Sequence, residues 1–408
     1  MIKRILHTSD WHLGRRLKEH DRTQEFTQFF SWLEGVIADE QIDTLLVAGD
    51  IFDNTTPTVA AQNLYYSFMS TLAKSSCRHI VITSGNHDSP AFIDAPSDLL
   101  RLNDIHVIGQ ACANPDDEVL VLRDSNGNPE LIVCAVPYLR DKDIRIITET
   151  DNPGDTERAI TAGISAHYAR VFECAQRRPE FPDVPAIAMG HMFAKGGRTH
   201  GGEGIRSLYV GTALQVDANI FPEWLAYTAL GHLHSPQAVG RDNIRYSGSP
   251  IPMTFGEAEQ KKAVYILELD GKELTGLREI EIPVFQRLKQ ICGNLQDITS
   301  EINALGLTDE SVWLDVTYNG QEVIADLQDR LEEFSQVFPN IDILSVRDEN
   351  KSVSPVSDPV PVDKITPQKM LELCFDANST PDEQRKIFTP MYEEILAGLA
   401  MKGDRVSA

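Results

Sequence analysis

His79-Ile80-Val81-Ile82-Thr83, followed after Ser84 by Gly85-Asn86-His87-Asp88, is the stretch from which the fold of this chain can be read. The apolar run is short and ends in turn-forming residues, which predicts a buried strand rather than a helix. Gly85 frees the backbone to turn sharply at the strand's C-terminal end. Asn86, His87 and Asp88 then offer an amide oxygen, two imidazole nitrogens and a carboxylate, groups that hold cations or move protons. One such tetrapeptide is an ordinary polar turn. Here the layout recurs four more times.

Toward the N-terminus, a strand over 5–9 ends in Asp10-Trp11-His12, whose polar residues are two apart and share a side of an extended chain. A basic cluster, Arg15, Arg16, Lys18 and Arg22, reads as a solvated loop. Apolar residues at helical spacing from Phe26 to Ile37 predict an amphipathic helix from Arg22 to Glu40, with Asp21 placed to cap it. The strand Thr44-Leu45-Leu46-Val47-Ala48 runs into Gly49-Asp50-Ile51-Phe52-Asp53, and a helix from Thr56-Pro57 to about Lys74 follows. Three strand–loop–helix units thus each end in a polar cluster at the strand's C-terminal end, where layered α/β folds bind ligands.

Toward the C-terminus, strands are expected at Ile105–Ile108, Val119–Leu122 and Leu131–Val136, and a helix near Thr156–Gln176. Ala186–Met189 leads into Gly190-His191, then a glycine-rich loop from Lys195 to Gly202. Ala226–Leu230 leads into Gly231-His232-Leu233-His234, and strands at Ile244–Tyr246 and Ala263–Leu269 close the core. So many strands with helices outside predict an α/β fold of two sheets packed face to face and flanked by helices. From Pro283 the pattern restarts: a helical stretch over Phe285–Leu305, a strand at 312–316, a helix carrying Val323, Leu327, Leu331 and Phe334, and a strand near 341–346. The expected organisation is a core over 1–280, a small α/β capping domain over 281–350, a proline-rich linker over 351–364, and C-terminal helices over 365–402.

The 408 residues are 42% hydrophobic and 24% charged, a globular composition with no apolar run of membrane-spanning length. Six scattered cysteines and a first strand entered with no apolar leader favour free thiols in a cytoplasmic protein. The formal net charge of -24 argues against broad nonspecific adhesion to nucleic acid. It leaves room for an enzyme whose positive charge comes from metal ions or a partner.

The candidate metal ligands are Asp10, His12, Asp50, Asn86, His191, His232 and His234. All are oxygen or imidazole donors and none is Cys, which favours Mn²⁺, Mg²⁺, Fe or Zn over a thiolate site. Seven ligands exceed one tetrahedral shell, so two ions sharing a bridging carboxylate are expected. Two ions roughly 3.5–4 Å apart suit displacement at phosphorus. Five of the eleven histidines fall in the strand-end clusters, which sets these apart from His7, His20, His79, His106, His167 and His200, read as structural.

In this order the motifs Asp10-x-His12, Gly49-Asp50-x-x-Asp53, Gly85-Asn86-His87-Asp88, Gly190-His191 and Gly231-His232-x-His234 resemble those of the calcineurin-like metallophosphoesterases. The finer wording, Thr8–Gly14, Val47–Asp53 and Tyr246-Ser247-Gly248-Ser249-Pro250, resembles the bacterial nuclease subunits of that superfamily. The core motifs carry the resemblance, and the last hundred residues match in layout only. The resemblance implies a four-layer αββα sandwich and two divalent ions, Mn²⁺ foremost. Asp10, His12 and His234 would hold one ion, Asn86, His191 and His232 the other, and Asp50 would bridge. His87 would be the general acid, with Asp88 orienting its ring, and Asp53 would touch a metal directly or through a ligand. It further implies exonuclease action on duplex DNA ends and endonuclease action on hairpins and single strands. The partner implied is a coiled-coil ATPase docked on the C-terminal helices, with the nuclease as a homodimer in a heterotetramer. The rival readings are a stand-alone small-molecule phosphodiesterase or phosphatase, and a non-catalytic scaffold for DNA ends. The appended domain counts against the first and the intact ligand set against the second.

Overall fold

The strand read from His79 to Thr83 forms with those bounds and pairs in parallel with Thr44–Ala48 on one side and Ile105–Ile108 on the other. The computed structural model describes residues 2–144, 153–199, 215–322, 324 and 326–349, and beyond them only 370–372, 374–375, 385–386 and 388–392. One six-stranded sheet runs from edge to edge as Glu273–Glu281, Ala263–Asp270, Lys3–Thr8, Thr44–Ala48, His79–Thr83 and Ile105–Ile108. Its last four strands are parallel, and the first two are antiparallel additions. The central strands are buried throughout and mostly apolar because both faces are covered.

Alternation along each strand decides which layer a residue meets. Leu45 and Val47 face outward onto helices Thr23–Asp39 and Val59–Leu72, among Phe29, Phe30, Leu33 and Phe68. Leu46 and Ala48 face inward onto Val133, Ile187, Met189 and Ala229 of a second six-stranded sheet. That sheet runs Gln237–Val239, Arg241–Tyr246, Tyr227–Gly231, Ala186–His191, Pro129–Ala135 and Val119–Arg123. Its far face is covered by helix Pro153–Gln176 through Tyr168, Val171 and Phe172. The architecture is therefore four layers, helix–sheet–sheet–helix, as the sequence suggested.

Two compact units divide the chain, Met1–Asp348 and Glu349–Ala408. The first includes a three-stranded parallel sheet, Arg287–Gly293, Val312–Tyr318 and Ile341–Asp348, with helices Leu295–Gly306 and Leu327–Ser335 and its own buried core. The helix expected over Phe285–Leu305 is corrected here, since its first half is a strand. Arg287–Gly293 pairs residue for residue with Val312–Tyr318, and a sheet partner overrides a helical pattern this short. Asn294 then caps the true helix, its Oδ1 accepting from the Asp297 amide at 3.0 Å. This small sheet touches the larger sandwich through Leu17, Phe255 and Leu288, with Trp313 and Leu344 against them.

The basic loop contains a short hairpin, Arg16–Leu17 with His20–Asp21. The edge strand Glu273–Glu281 escaped the sequence reading because it is half exposed and charged, with no apolar run. Asp21 accepts from the Thr23 amide at 2.9 Å, two residues on, rather than capping the helix itself. The linker 351–364, Val323 and much of the C-terminal helical segment lie outside the described residues. In the second unit, 370–372 and 388–392 are helical, and the Arg385 guanidinium sits 5.6 Å from the centre of the Phe375 ring. Cys77, Cys112, Cys134, Cys174 and Cys292 are free thiols. Among the described residues no helix is long and apolar enough to cross a membrane.

Candidate metal centre

The loops that follow the first two strands are laced together by their backbones. Asp10 N–H donates to the Gly49 carbonyl at 3.0 Å, His12 N–H to Asp50 O at 2.9 Å and Leu13 N–H to Ile51 O at 2.9 Å. Trp11, wholly buried, anchors this lacing, with its ring edge-on to Phe30 and Phe68 and Nε1 donating to Thr8 Oγ1 at 3.0 Å. Asp10, His12, Asp50 and His232 all adopt left-handed backbone, with φ of 51°, 49°, 50° and 101°. Such conformations cost on the order of 1–3 kcal/mol each for a non-glycine residue and persist where surrounding structure imposes them. Glycine allows the close approach that does so. A Cβ on Gly231 would lie 1.8 Å from Ala48 O across the sheet interface, and one on Gly85 would lie 2.1 Å from Asp50 Oδ1.

Asp50 stands at the middle of what these loops enclose. Its Oδ2 is 3.5 Å from His12 Nε2 and 3.3 Å from His191 Nε2, and its Oδ1 accepts from His87 N–H at 2.9 Å. The ligating atoms of Asp10, His12 and His234 fall within 4.8 Å of one another, as do those of Asp10, Asp50 and His191. His232 and His191 join through Asn86, whose Oδ1 is 2.9 Å from His232 Nδ1 and 3.1 Å from His191 Nε2. The structure thus brings all seven sequence-derived candidates into one pocket. Five of them are buried, while Asn86 and His232 are half-buried.

Whether this pocket suits a divalent ion can be judged from its donors. His191 Nδ1 lies 3.0 Å from Ala48 O, and His234 Nδ1 lies 3.2 Å from Glu257 Oε1. A carbonyl and a carboxylate only accept, so each Nδ1 carries a proton and Nε2 is turned toward the pocket. His12 Nε2 and His234 Nε2 face each other at 3.2 Å, and His12 Nδ1 is buried without a partner among the described residues. Carboxylates and an amide oxygen converging in this way call for a cation, and a set of imidazole, carboxylate and amide oxygen suits a divalent one.

The electrostatics point the same way. Burial raises the Asp10 carboxyl. Burial works against ionised Asp50 as well, but His191, His12 and His87 outweigh it and hold Asp50 well below the usual carboxylate range. Burial also opposes a charged His191, yet the Asp50 carboxylate pushes it up to about 9. Burial and neighbouring His191 push His232 down to about 3. The pocket draws positive charge to Asp50.

His87 lies beside this cluster, its ring edge-on to His12 at 4.7 Å between centres, with Nδ1 2.8 Å from the Asp53 carbonyl oxygen. The expectation that Asp88 orients the His87 ring is corrected by this geometry. The Asp88 carboxylate accepts from the amides of Gly85, Ile51 and Phe52 at 2.8, 3.1 and 2.9 Å. It is spent on pinning the two loops, and wholly buried, with burial and then Asp50 pushing its pKa up to about 6. The Asp53 backbone steadies the ring instead. Its side chain pairs with Arg15 at 3.1 Å, and its Oδ1 is 3.7 Å from His12 Nδ1.

Sequence reading missed Glu257. It is fully buried, holds His234, and is itself held by Lys262 Nζ at 2.6 Å and the Met253 amide at 3.1 Å. Nothing in Phe255-Gly256-Glu257 marks it, because its work depends on a turn 23 residues from His234 folding back.

A family model described as Calcineurin-like phosphoesterase matches residues 3–258, and one described as Type 5 capsule protein repressor C-terminal domain matches 284–379. The SbcD subunit of the nuclease SbcCD from Escherichia coli (strain K12) is 32% identical over 347 residues, 84% of this chain and 84% of that protein. The SbcD subunit from Rhodobacter capsulatus is 35% identical over 316 residues, 75% of this chain and 76% of its own length. That from Bacillus subtilis (strain 168) is 35% identical over 276 residues, 67% of this chain and 68% of its own.

Proposed function

Since the chain belongs to the calcineurin-like phosphoesterases and, among them, to the SbcD nuclease subunits, we propose that it is a metal-dependent DNA nuclease. The observation that carries this is the convergence of Asp10, His12 and His191 on Asp50 in one buried pocket, with His234 beside Asp10 and His12, in a chain that matches nuclease subunits over most of its length.

In this reading Asp10, His12 and His234 hold one divalent ion, Asn86, His191 and His232 a second, and Asp50 bridges them. Mn²⁺ is the expected metal. Ions held there stabilise charge on the phosphoryl oxygens and lower the pKa of water. The protein's own part is to fix the donors. Glu257 and the Ala48 carbonyl hold the rings of His234 and His191 in the tautomer that leaves Nε2 bare. His87, free of that ligand set, gives a proton to the leaving oxygen, while the Asp53 carbonyl accepts from its Nδ1 and sets the ring. Asp88 keeps the loops bearing Asp50 and His87 in register.

The substrates in this reading are duplex DNA ends, hairpins and single strands, in DNA recombination, replication and repair. The small sheet from Arg287 to Asp348 acts as a DNA-facing cap. The segment beyond it docks an SbcC-type coiled-coil ATPase, with two nuclease chains in a heterotetramer. A net charge of -24 fits a subunit whose grip on DNA is partly supplied by that partner. Free cysteines fit a cytoplasmic setting.

The test compares, in Mn²⁺, cleavage of duplex DNA ends with hydrolysis of a cyclic nucleotide. Cutting of DNA is expected. Turnover of the cyclic nucleotide with intact DNA would replace this reading with a small-molecule phosphodiesterase. Binding of DNA without turnover of either would replace it with a scaffold.

A further inference from the structure

A second cluster of ligand-type side chains lies away from the strand-end loops. The ligating atoms of His79, Asp104 and His106 fall within 4.8 Å of one another. His79 opens the strand His79–Thr83, and His106 lies opposite Val81 on the neighbouring strand. Alternate residues share a face, so His79, Val81 and His106 project to the same side. Asp104 immediately precedes the second strand, and its carbonyl accepts from Ile80 N–H at 3.1 Å. This is the N-terminal end of the parallel strands. Asp50 and Asn86 follow their C-terminal ends, a strand's length of roughly 15 Å away.

The His79 ring is set as metal-binding histidines are set. Its Nε2 lies 3.1 Å from Glu130 Oε1 and 3.0 Å from Arg123 O. Both partners only accept, so Nε2 carries a proton and Nδ1 is the nitrogen left to face a metal. That Nδ1 is buried with no hydrogen-bond partner among the described residues, on a residue 4% exposed. An unpaired buried acceptor is unfavourable, whereas a histidine that donates one N–H to a carboxylate or carbonyl presents the other nitrogen to a metal. Glu130 is in turn fixed by Lys3 at 3.0 Å and Arg78 at 3.1 Å, so the ring is held from behind.

The other two groups complete a donor set. His106 is half-buried and supplies the second imidazole. Asp104 is exposed and supplies the anionic oxygen. A groove of about 640 Å³ includes His106 and Arg101 in its lining.

We propose that His79 Nδ1, His106 and Asp104 bind one divalent transition-metal ion of the zinc class, separate from the centre around Asp50. Two imidazoles and one carboxylate favour Zn²⁺ or Co²⁺ over Mg²⁺ or Ca²⁺. Three protein ligands leave a position for water. The ion ties together the starts of two adjacent strands and, through Glu130, the edge of the second sheet.

The experiment counts Co²⁺ bound per chain at saturation in the full-length protein, in His106→Gln and in Asp104→Asn. The expected result is one ion fewer in each variant, with Mn²⁺-dependent cleavage unchanged. Asp104 is a surface residue, so its variant stays informative if His106→Gln folds poorly. Counts equal to wild type in the folded variants overturn the site. Because the readout is a difference between proteins, it does not depend on how many ions the Asp50 centre holds.

Discussion

Glu257 Oε1 accepts a hydrogen bond from His234 Nδ1 at 3.2 Å, from a turn that neither carries a candidate ligand nor borders one in sequence. The carboxylate is wholly buried. Burial alone would raise its pKa, but the hydrogen bond from His234 and the charge of Lys262 bring it down to about 2. It therefore fixes which nitrogen His234 shows to the pocket.

Replacing Glu257 with Gln keeps the shape and removes the charge. Loss of a carboxylate behind a ligating histidine typically weakens metal affinity about 10–100-fold. Calorimetric titration with Mn²⁺ is expected to show that loss, with cleavage recovering as Mn²⁺ is raised. Unchanged affinity would reduce Glu257 to a packing residue.

His87→Gln separates proton transfer from metal binding. His87 reaches the cluster through ring contact with His12 and a backbone hydrogen bond to Asp50. The backbone bond survives the substitution. Removing a general acid typically costs about 10²–10⁴-fold in rate. Turnover is expected to fall by that order while the number of bound Mn²⁺ ions stays the same. A drop in that number would make His87 a ligand instead.

Acid stability provides a check on the sandwich itself. His7 is buried between the sheets, with Nδ1 3.0 Å from Tyr227 Oη and Nε2 unpartnered among the described residues, and burial pushes its pKa down to about 3. It is neutral when folded, and in the unfolded chain it takes up a proton near pH 6.5. The unfolded state binds more protons between those values, so stability is full above about pH 6.5 and falls as pH drops toward 3. From pH 6.5 to 5 the loss from this one group is about 2 kcal/mol. Urea unfolding at pH 7 and pH 5 is expected to show that difference shrinking in His7→Gln. An unchanged difference would mean that His7 is already solvated.

Ending the chain after Asp348 tests the division of labour. Met1–Asp348 is a compact unit that holds every candidate ligand. The shortened protein is expected to unfold cooperatively and to keep Mn²⁺-dependent cutting of single strands. Its co-purification with an SbcC-type partner is expected to be lost. Retained co-purification would move the docking surface into the first unit.

The sequence by itself determined the layers and marked the candidate ligands. Thr44–Ala48 and His79–Thr83 formed with the bounds read from their apolar runs, because a strand buried on both faces has nothing but side-chain character to define it. The candidate ligand types were equally legible, because each lies at the end of a core strand or within four residues after it. What only the tertiary structure decided were contacts between segments far apart in the chain. Arg287–Gly293 became a strand because Val312–Tyr318 lay beside it. Asp88 turned from the His87 ring because three amides of neighbouring loops claimed its carboxylate. Glu257 came to stand behind His234 only when the chain closed on itself. A hydrogen bond needs its partner within about 3 Å, and local sequence carries no record of a partner brought there by the rest of the fold.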